Sequence, residues 1–284
     1  MRDPKVTIIK RSGEKVEYDS SKLKHSLERS GASEQVIREV MDKVEASLQD
    51  GITTKEIYTT AFSLLRKRAR PIAARYKLKK AILELGPTGY PFERFVAEIL
   101  KVQGYLTTVG VDVKGHCINH EVDVIAETKS EHIMVECKFH SDQGRRCDVK
   151  VPLYIHSRFR DVEKKWLTED KLKSKKHKGC IFTNTRFTDD ATRYGRCVDL
   201  IMVGWDYPLK GSLKERIDTA GLHPVTCISS LTKLEKQKLL SSNKVLCRDL
   251  ILYPNILDSL HISSRRQNNV LEEVEGLCNI QIEN

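Results

Sequence analysis

The sequence predicts an α/β protein of more than one domain. A small β-hairpin with helices comes first, then an α/β sandwich around a mixed sheet, then a short helical extension. Three observations predict this. The 284 residues amount to about two domains at roughly 150 residues each. Between residues 92 and 203 a helix is followed by short apolar strands alternating with helical segments, the order of a mixed-sheet α/β unit. After Gly221 that alternation stops, and leucines spaced among polar residues take over. The boundaries fall at 1–88, 89–223 and 224–284.

Each element follows from its residues. Val6–Ile9 is a short β-rich run, Arg11 to Glu14 makes a turn, and Lys15–Tyr18 returns as its partner. Asp19, Ser20 and Ser21 offer N-caps for a helix that stops at Gly31. Ser33 starts a second helix with Val36, Ile37, Val40, Val44 and Leu48 at helical spacing, and Asp50-Gly51 breaks it. Thr53 and Glu56, three residues apart, form a capping-box pattern for a third helix. Pro71 suits the first turn of a fourth, which runs to about Leu85 before Gly86-Pro87 ends it. The middle segment opens with a helix from Phe92 to Gln103. Strand candidates follow at Val122–Ala126, Ile133–Phe139, Gly179–Thr183 and Leu200–Val203, with helical stretches at Asp161–Lys165 and Asp190–Arg196. The last segment reads as three or four short helices.

Composition narrows the function classes. Hydrophobic residues make up 39% and charged residues 31%, as in a folded globular chain rather than a disordered one. No run approaches the ~18 apolar residues of a membrane span, and the start shows no apolar signal core. A cytoplasmic protein without a membrane partner is expected. The eight cysteines include no C-x-x-C pair, which excludes a zinc ribbon and favours reduced thiols. The net charge of +10 is uneven: +7 over residues 1–88, +3 over 89–223 and zero beyond. That balance favours a polyanionic or phosphorylated partner.

One pair of strands carries chemistry. If 127–132 is the loop of a hairpin, residue 126 faces 133 and residue 123 faces 136. Opposed residues share a face with Cβ atoms about 4.5–5.5 Å apart, so Asp123 and Glu136 can share one cation, and Lys138 lies on the same face. Val122, Val124, Val135 and Cys137 take the other face as core. Adjacent carboxylates repel unless protonated or bridged, and oxygen ligands suit a hard cation such as Mg²⁺ (or Mn²⁺). Metal-assisted phosphodiester hydrolysis fits such a site. On the preceding helix, Glu93 falls at the edge of the apolar stripe, whereas Glu98 points outward. A lysine-rich stretch between Lys164 and Lys178 is expected to adjoin this site. Its Lys171, Lys173, Lys175 and Lys176 are candidate phosphate contacts, against the alternative of a solvated loop.

These residues resemble a family. Gly89-Tyr-Pro-Phe-Glu-Arg-Phe-Val, Gly104-Tyr, His120-Glu-Val-Asp-Val-Ile-Ala and Val135-Glu-Cys-Lys, with Gly179-Cys-Ile-Phe-Thr-Asn later, are similar to the Mrr-like branch of the PD-(D/E)xK restriction-endonuclease fold over residues 89–205. The resemblance implies Asp123 and Glu136 as metal ligands, Lys138 as the catalytic lysine, Glu93 as a supporting carboxylate, and DNA as substrate. Glycines common before the aspartate in that branch are replaced here by Asn119, His120 and Glu121. His120 either contacts the scissile phosphate or closes a loop.

A second resemblance covers residues 4–85. Val6-Thr-Ile-Ile-Lys-Arg-Ser-Gly, Val16-Glu-Tyr-Asp-Ser-Ser-Lys-Leu and Ala74-Arg-Tyr look like an ATP-cone domain. It implies an ATP or dATP effector, with Lys10, Arg11 and Lys22 on phosphates and Asp19, Thr54 and Tyr58 near the nucleotide. Lys22 also begins a helix whose N-terminus favours anions. The combined expectation is a Mg²⁺-dependent DNA endonuclease under adenine-nucleotide control, acting as a homo-oligomer. The alternative is a nucleotide-responsive DNA-binding regulator whose nuclease fold does not cut.

Overall fold

The computed structural model describes residues 6–10, 12–142 and 144–278. Arg11, expected at the hairpin turn, lies outside them. The chain divides into two compact units. One takes the residues up to Ala81, then Val225–Lys236 and the chain from Cys247 on; the other takes Ile82–Pro224 with Gln237–Leu246.

The first unit begins with the expected hairpin, β1 (Thr7–Ile9) antiparallel to β2 (Lys15–Glu17) with Ile8 opposite Val16. Three helices follow, α1 (Ser20–Arg29), α2 (Glu34–Glu45) and α3 (Thr54–Arg68). Asp19 caps α1 by accepting from Ser21 N, Ser33 caps α2, and the Thr53–Glu56 capping box closes both of its bonds. Their apolar stripes converge in a core that includes Leu27, Val44, Ala61 and Leu65. The single helix expected after Pro71 is instead two, α4 (Arg70–Tyr76) and α5 (Leu78–Leu83), divided at Lys77. Lys77 is buried, and its ammonium donates to the carbonyl of Thr226, a bond that an outward-facing lysine could not make.

The second unit holds α6 (Tyr90–Val102) and a five-stranded mixed sheet in the order β3-β4-β5-β7-β9. The strands are β3 (Leu106–Lys114), β4 (Asn119–Glu127), β5 (Glu131–Lys138), β7 (Lys176–Thr183) and β9 (Ile201–Val203). β3, β4 and β5 pair antiparallel, and β5, β7 and β9 pair parallel. A short parallel pair, β6 (Arg146–Cys147) and β8 (Arg186–Phe187), stands apart. The same unit holds helices α7 (Lys150–Trp166), α8 (Asp189–Cys197) and α9 (Leu213–Ala220). Buried Phe92, Phe95, Val96, Ile99 and Leu100 form the stripe of α6, which packs on β3, β4 and β5.

Several elements lie outside the expected set, among them β6, β8 and α9. β3 was not anticipated: it is an edge strand of alternating half-buried and exposed residues, with Gly110 in its middle, so no apolar run announces it. α7 is seventeen residues long, whereas the sequence marks only its last turn. The remaining α-helices are α10 (Lys233–Ser241), α11 (Arg248–Leu252) and α12 (Ser264–Cys278), with short 3-10 turns at Val225–Cys227 and Pro254–Leu260. Helix α12 lies on α4, with Arg75 Nη2 donating to Gly276 O at 2.8 Å. Buried Glu273 accepts from the backbone N–H groups of Ser229 and Ser230. No described cysteine is in a disulfide. No helix among the described residues is long and apolar enough to cross a membrane.

Candidate active site

The β4–β5 hairpin has the expected register, with Ala126 opposite Ile133 and Val124 opposite Val135. Val122, Val124 and Val135 are fully buried and Cys137 nearly so, while Asp123 and Glu136 are half-buried and Lys138 is exposed. The ladder ends where the chemistry begins. Past Val124–Val135, Asp123 Oδ2 accepts from the backbone N–H of Cys137 at 2.6 Å, which fixes that carboxylate against the neighbouring strand.

Each acid of the cluster resists ionisation. Burial pushes Asp123 up, against the Cys137 N–H and the Arg158 charge. Burial and then the Asp123 charge push Glu136 up, offset by Arg158 and Lys138. Glu93, in the first turn of α6, is pushed up to about 7 by burial, then by Asp123, Glu121 and Glu136. The helix acid is therefore within electrostatic reach of both strand acids, as its place at the stripe edge suggests. Among the described residues no group of three His, Cys, Asp or Glu stands close enough to hold a metal alone. A pair of carboxylates completed by water and a substrate phosphate is a usual Mg²⁺ site, and Asp123 with Glu136 fits that donor chemistry.

Sequence reasoning missed the supports of this centre. Arg158 of α7 donates Nη1 to Glu136 Oε2 at 2.8 Å and Nη2 to the carbonyl of Glu121. With the start of α7 unseen, nothing in the sequence placed it there. Buried Thr183 donates Oγ1 to Lys138 O at 2.8 Å. Asn184 clasps the backbone of His140 from both sides, accepting from its N and donating to its O at 2.8 Å each. The strand carrying Lys138 is thus held on its backbone, leaving the ammonium exposed.

Two expectations about phosphate contacts change. His120 is buried, and its Nε2 lies 2.8 Å from Asp161 Oδ2. Asp161 also accepts from the N–H groups of Cys117 and Ile118. A Cβ on Gly115 would come 2.1 Å from that carboxylate. His120 therefore belongs to the loop-closing alternative, bound into the turn between β3 and β4. The lysine-rich stretch does not adjoin the carboxylates. Lys176 pairs with Glu131 at the start of β5, whereas Glu136 and Lys138 pair with Ile181 and Thr183 at its end. Five residues of strand span roughly 17 Å. Lys171 and Lys176 are exposed there. Lys173 is bonded to Asp170 and Lys175 to Glu127, each at 2.7 Å.

The first unit has a cavity of about 260 Å³. Five of the six residues expected at a nucleotide line it: Lys10, Asp19, Lys22, Thr54 and Tyr58. Tyr76 and Tyr18 line it too and were not anticipated. Tyr58 and Tyr76 stack at 5.2 Å between ring centroids, and burial, then Tyr18, drives the Tyr76 phenol upward. Asp19 is held below the usual carboxylate range by Ser21 and then Lys22. Lys10 and Lys22 each face a carboxylate at 3.0 Å, Glu14 and Asp19 respectively. The cavity is below the ~300–1,000 Å³ of pockets that enclose a whole ligand. It has room for part of a nucleotide, with exposed lysines at its rim.

These two sites define the class: a restriction-endonuclease-type domain joined to an ATP cone. Residues 6–82 match the ATP cone domain family, 86–203 the restriction endonuclease family and 223–278 the AF1548-like C-terminal family. A protein of Archaeoglobus fulgidus described as uncharacterized is 33% identical over 181 residues, covering 63% of this chain and 98% of its own. The crystal structure of AF1548, a protein of unknown function, matches at 31% identity with a TM-score of 0.55, over 67% of this chain and 98% of that one. The chain belongs to the AF1548-like family.

Proposed function

We propose that the chain is a divalent-metal-dependent DNA endonuclease whose activity responds to ATP or dATP at its ATP cone. The observation that carries this reading is the pair Asp123 and Glu136, brought together at the end of the β4–β5 ladder beside Lys138. Mg²⁺ or Mn²⁺ held by those carboxylates would offset charge on the phosphodiester and lower the pKa of a water. The chain's own residues prepare the rest. Cys137 N–H fixes Asp123, and Arg158 fixes Glu136. Lys138 is free to orient the attacking water or meet a phosphoryl oxygen. Glu93, pushed up to about 7, can take or give a proton at its carboxylate near neutral pH. DNA as the substrate rests on the family resemblance, and so does control by nucleotide.

A second reading has its own support. Arg158 already neutralises Glu136, as it would in a nucleotide-responsive DNA-binding regulator that does not cut. Full-length protein incubated with plasmid, modified DNA and RNA, with and without Mg²⁺ and ATP or dATP, separates the two. The endonuclease reading expects Mg²⁺-dependent nicks or breaks in DNA. Binding with no strand scission under any of these conditions supports the regulator.

A further inference from the structure

We infer that the outer stripe of α7 is a nucleic-acid track, with Tyr154 as a stacking platform for an unpaired base. This rests on the nuclease reading for the class of ligand. With the 171–176 lysines at the other end of the sheet, the approach to the carboxylates must be supplied by other residues, and α7 has them. Residues 150, 154 and 158 follow one another at i, i+4 and i+8, so they share a face. Arg158 ends that face on Glu136 itself. Lys150 begins it, exposed, about 12 Å away at 1.5 Å per residue.

Between them Tyr154 is 63% exposed and its neighbour Leu153 44% exposed. Two adjacent large side chains with apolar surface in solvent, flanked by two cations, offer a surface that a flat, anionic ligand can cover. The Arg158 guanidinium lies over the Tyr154 ring, 5.4 Å from its centroid, which braces the ring from one side. Exposed Lys138 adds a second cation beside the carboxylates, acting on both Asp123 and Glu136. An aromatic face among cations is how sequence-tolerant proteins hold single strands: the cations follow phosphates while the ring stacks on a base.

The test is fluorescence anisotropy of full-length protein in EDTA, so that binding is read without cleavage, using a labelled single-stranded oligonucleotide and fluorescent heparin. Tyr154→Ala should weaken oligonucleotide binding on the order of tenfold and leave heparin, which has no bases, unchanged. Its log K against log [salt] slope should match the wild type, because stacking releases no counterion. Tyr154→Phe should restore binding, and Lys150→Ala should flatten the slope by about 0.7. Unchanged oligonucleotide binding by Tyr154→Ala overturns the inference, as does an equal loss on heparin. A change in sedimentation without a change in oligonucleotide binding also overturns it and marks the stripe as a protein interface. Tyr154-dependent binding by a protein that never cuts keeps the track and removes the nuclease reading. A cutting enzyme indifferent to Tyr154 does the reverse.

Discussion

His132 is 6% exposed and its ring lies 4.1 Å from Trp166, with His177 5.8 Å away. Burial, opposed by Glu127 and reinforced by His177 and Lys175, brings it down to about 4. The unfolded chain takes up this proton near pH 6.5, and the folded chain does so only near 4. The unfolded state therefore binds more protons in that window, so stability is full above pH 6.5 and is lost as pH falls towards 4. The loss from this residue is on the order of 3 kcal/mol. Urea unfolding followed by Trp166 fluorescence, at pH 7 and pH 4.5, should show a smaller acid loss for His132→Phe than for the wild type. Parallel losses would contradict this role for His132. Individual site residues differ in how far they can be read from sequence. Asp123, Glu136 and Lys138 were legible because strand alternation fixes their face whatever surrounds the sheet. Arg158, Thr183 and Asn184 were not, because each reaches the site from another element at a distance that only the folded chain sets.

The same contrast holds between elements. The hairpin, the capped helices of the first unit and β4, β5, β7 and β9 carry local signals: caps, breaking glycines and apolar runs. β3 carries none, and Pro152 near the start of α7 reads as an interruption although it lies buried in that helix. The lysine-rich stretch is basic in sequence, yet strand pairing, invisible there, carries it to the far end of the sheet. Replacing Lys171, Lys173, Lys175 and Lys176 with Ala should therefore leave the salt slope of duplex DNA binding within about one of the wild type. Four lost phosphate contacts would lower it by about 3.6, and such a drop would put this stretch on the DNA. Helix α12 offers a second test. A Cβ on Gly276 would stand 2.4 Å from Pro71 Cγ of α4, so Gly276→Val must push the two helices apart. Overpacking of this kind costs about 1–3 kcal/mol. Thermal unfolding should register it, and a variant as stable as the wild type would show that α12 does not rest on α4.

At the scale of the whole molecule, an ATP cone joined to a restriction-endonuclease-type domain makes sense if nucleotide occupancy changes what that domain does. A ligand with several negative charges at Lys10 and Lys22 cancels part of the +7 of residues 1–88. That favours one arrangement of domains or subunits only if the arrangements bind nucleotide differently. Calorimetry of the full chain should show ATP or dATP binding that Lys10→Ala with Lys22→Ala removes. Nucleotide should also shift the cutting rate or the sedimentation of the full chain; binding without either effect would make the cone a passive site. All of this depends on whether the chain cuts DNA through Asp123 and Glu136. The most direct measurement is plasmid cleavage across a Mg²⁺ titration by the wild type and by an Asp123→Asn/Glu136→Gln double variant of unchanged circular dichroism. The wild type should cut only with the cation, and the double variant not at all. Cleavage by that folded variant at the wild-type rate would place the chemistry elsewhere.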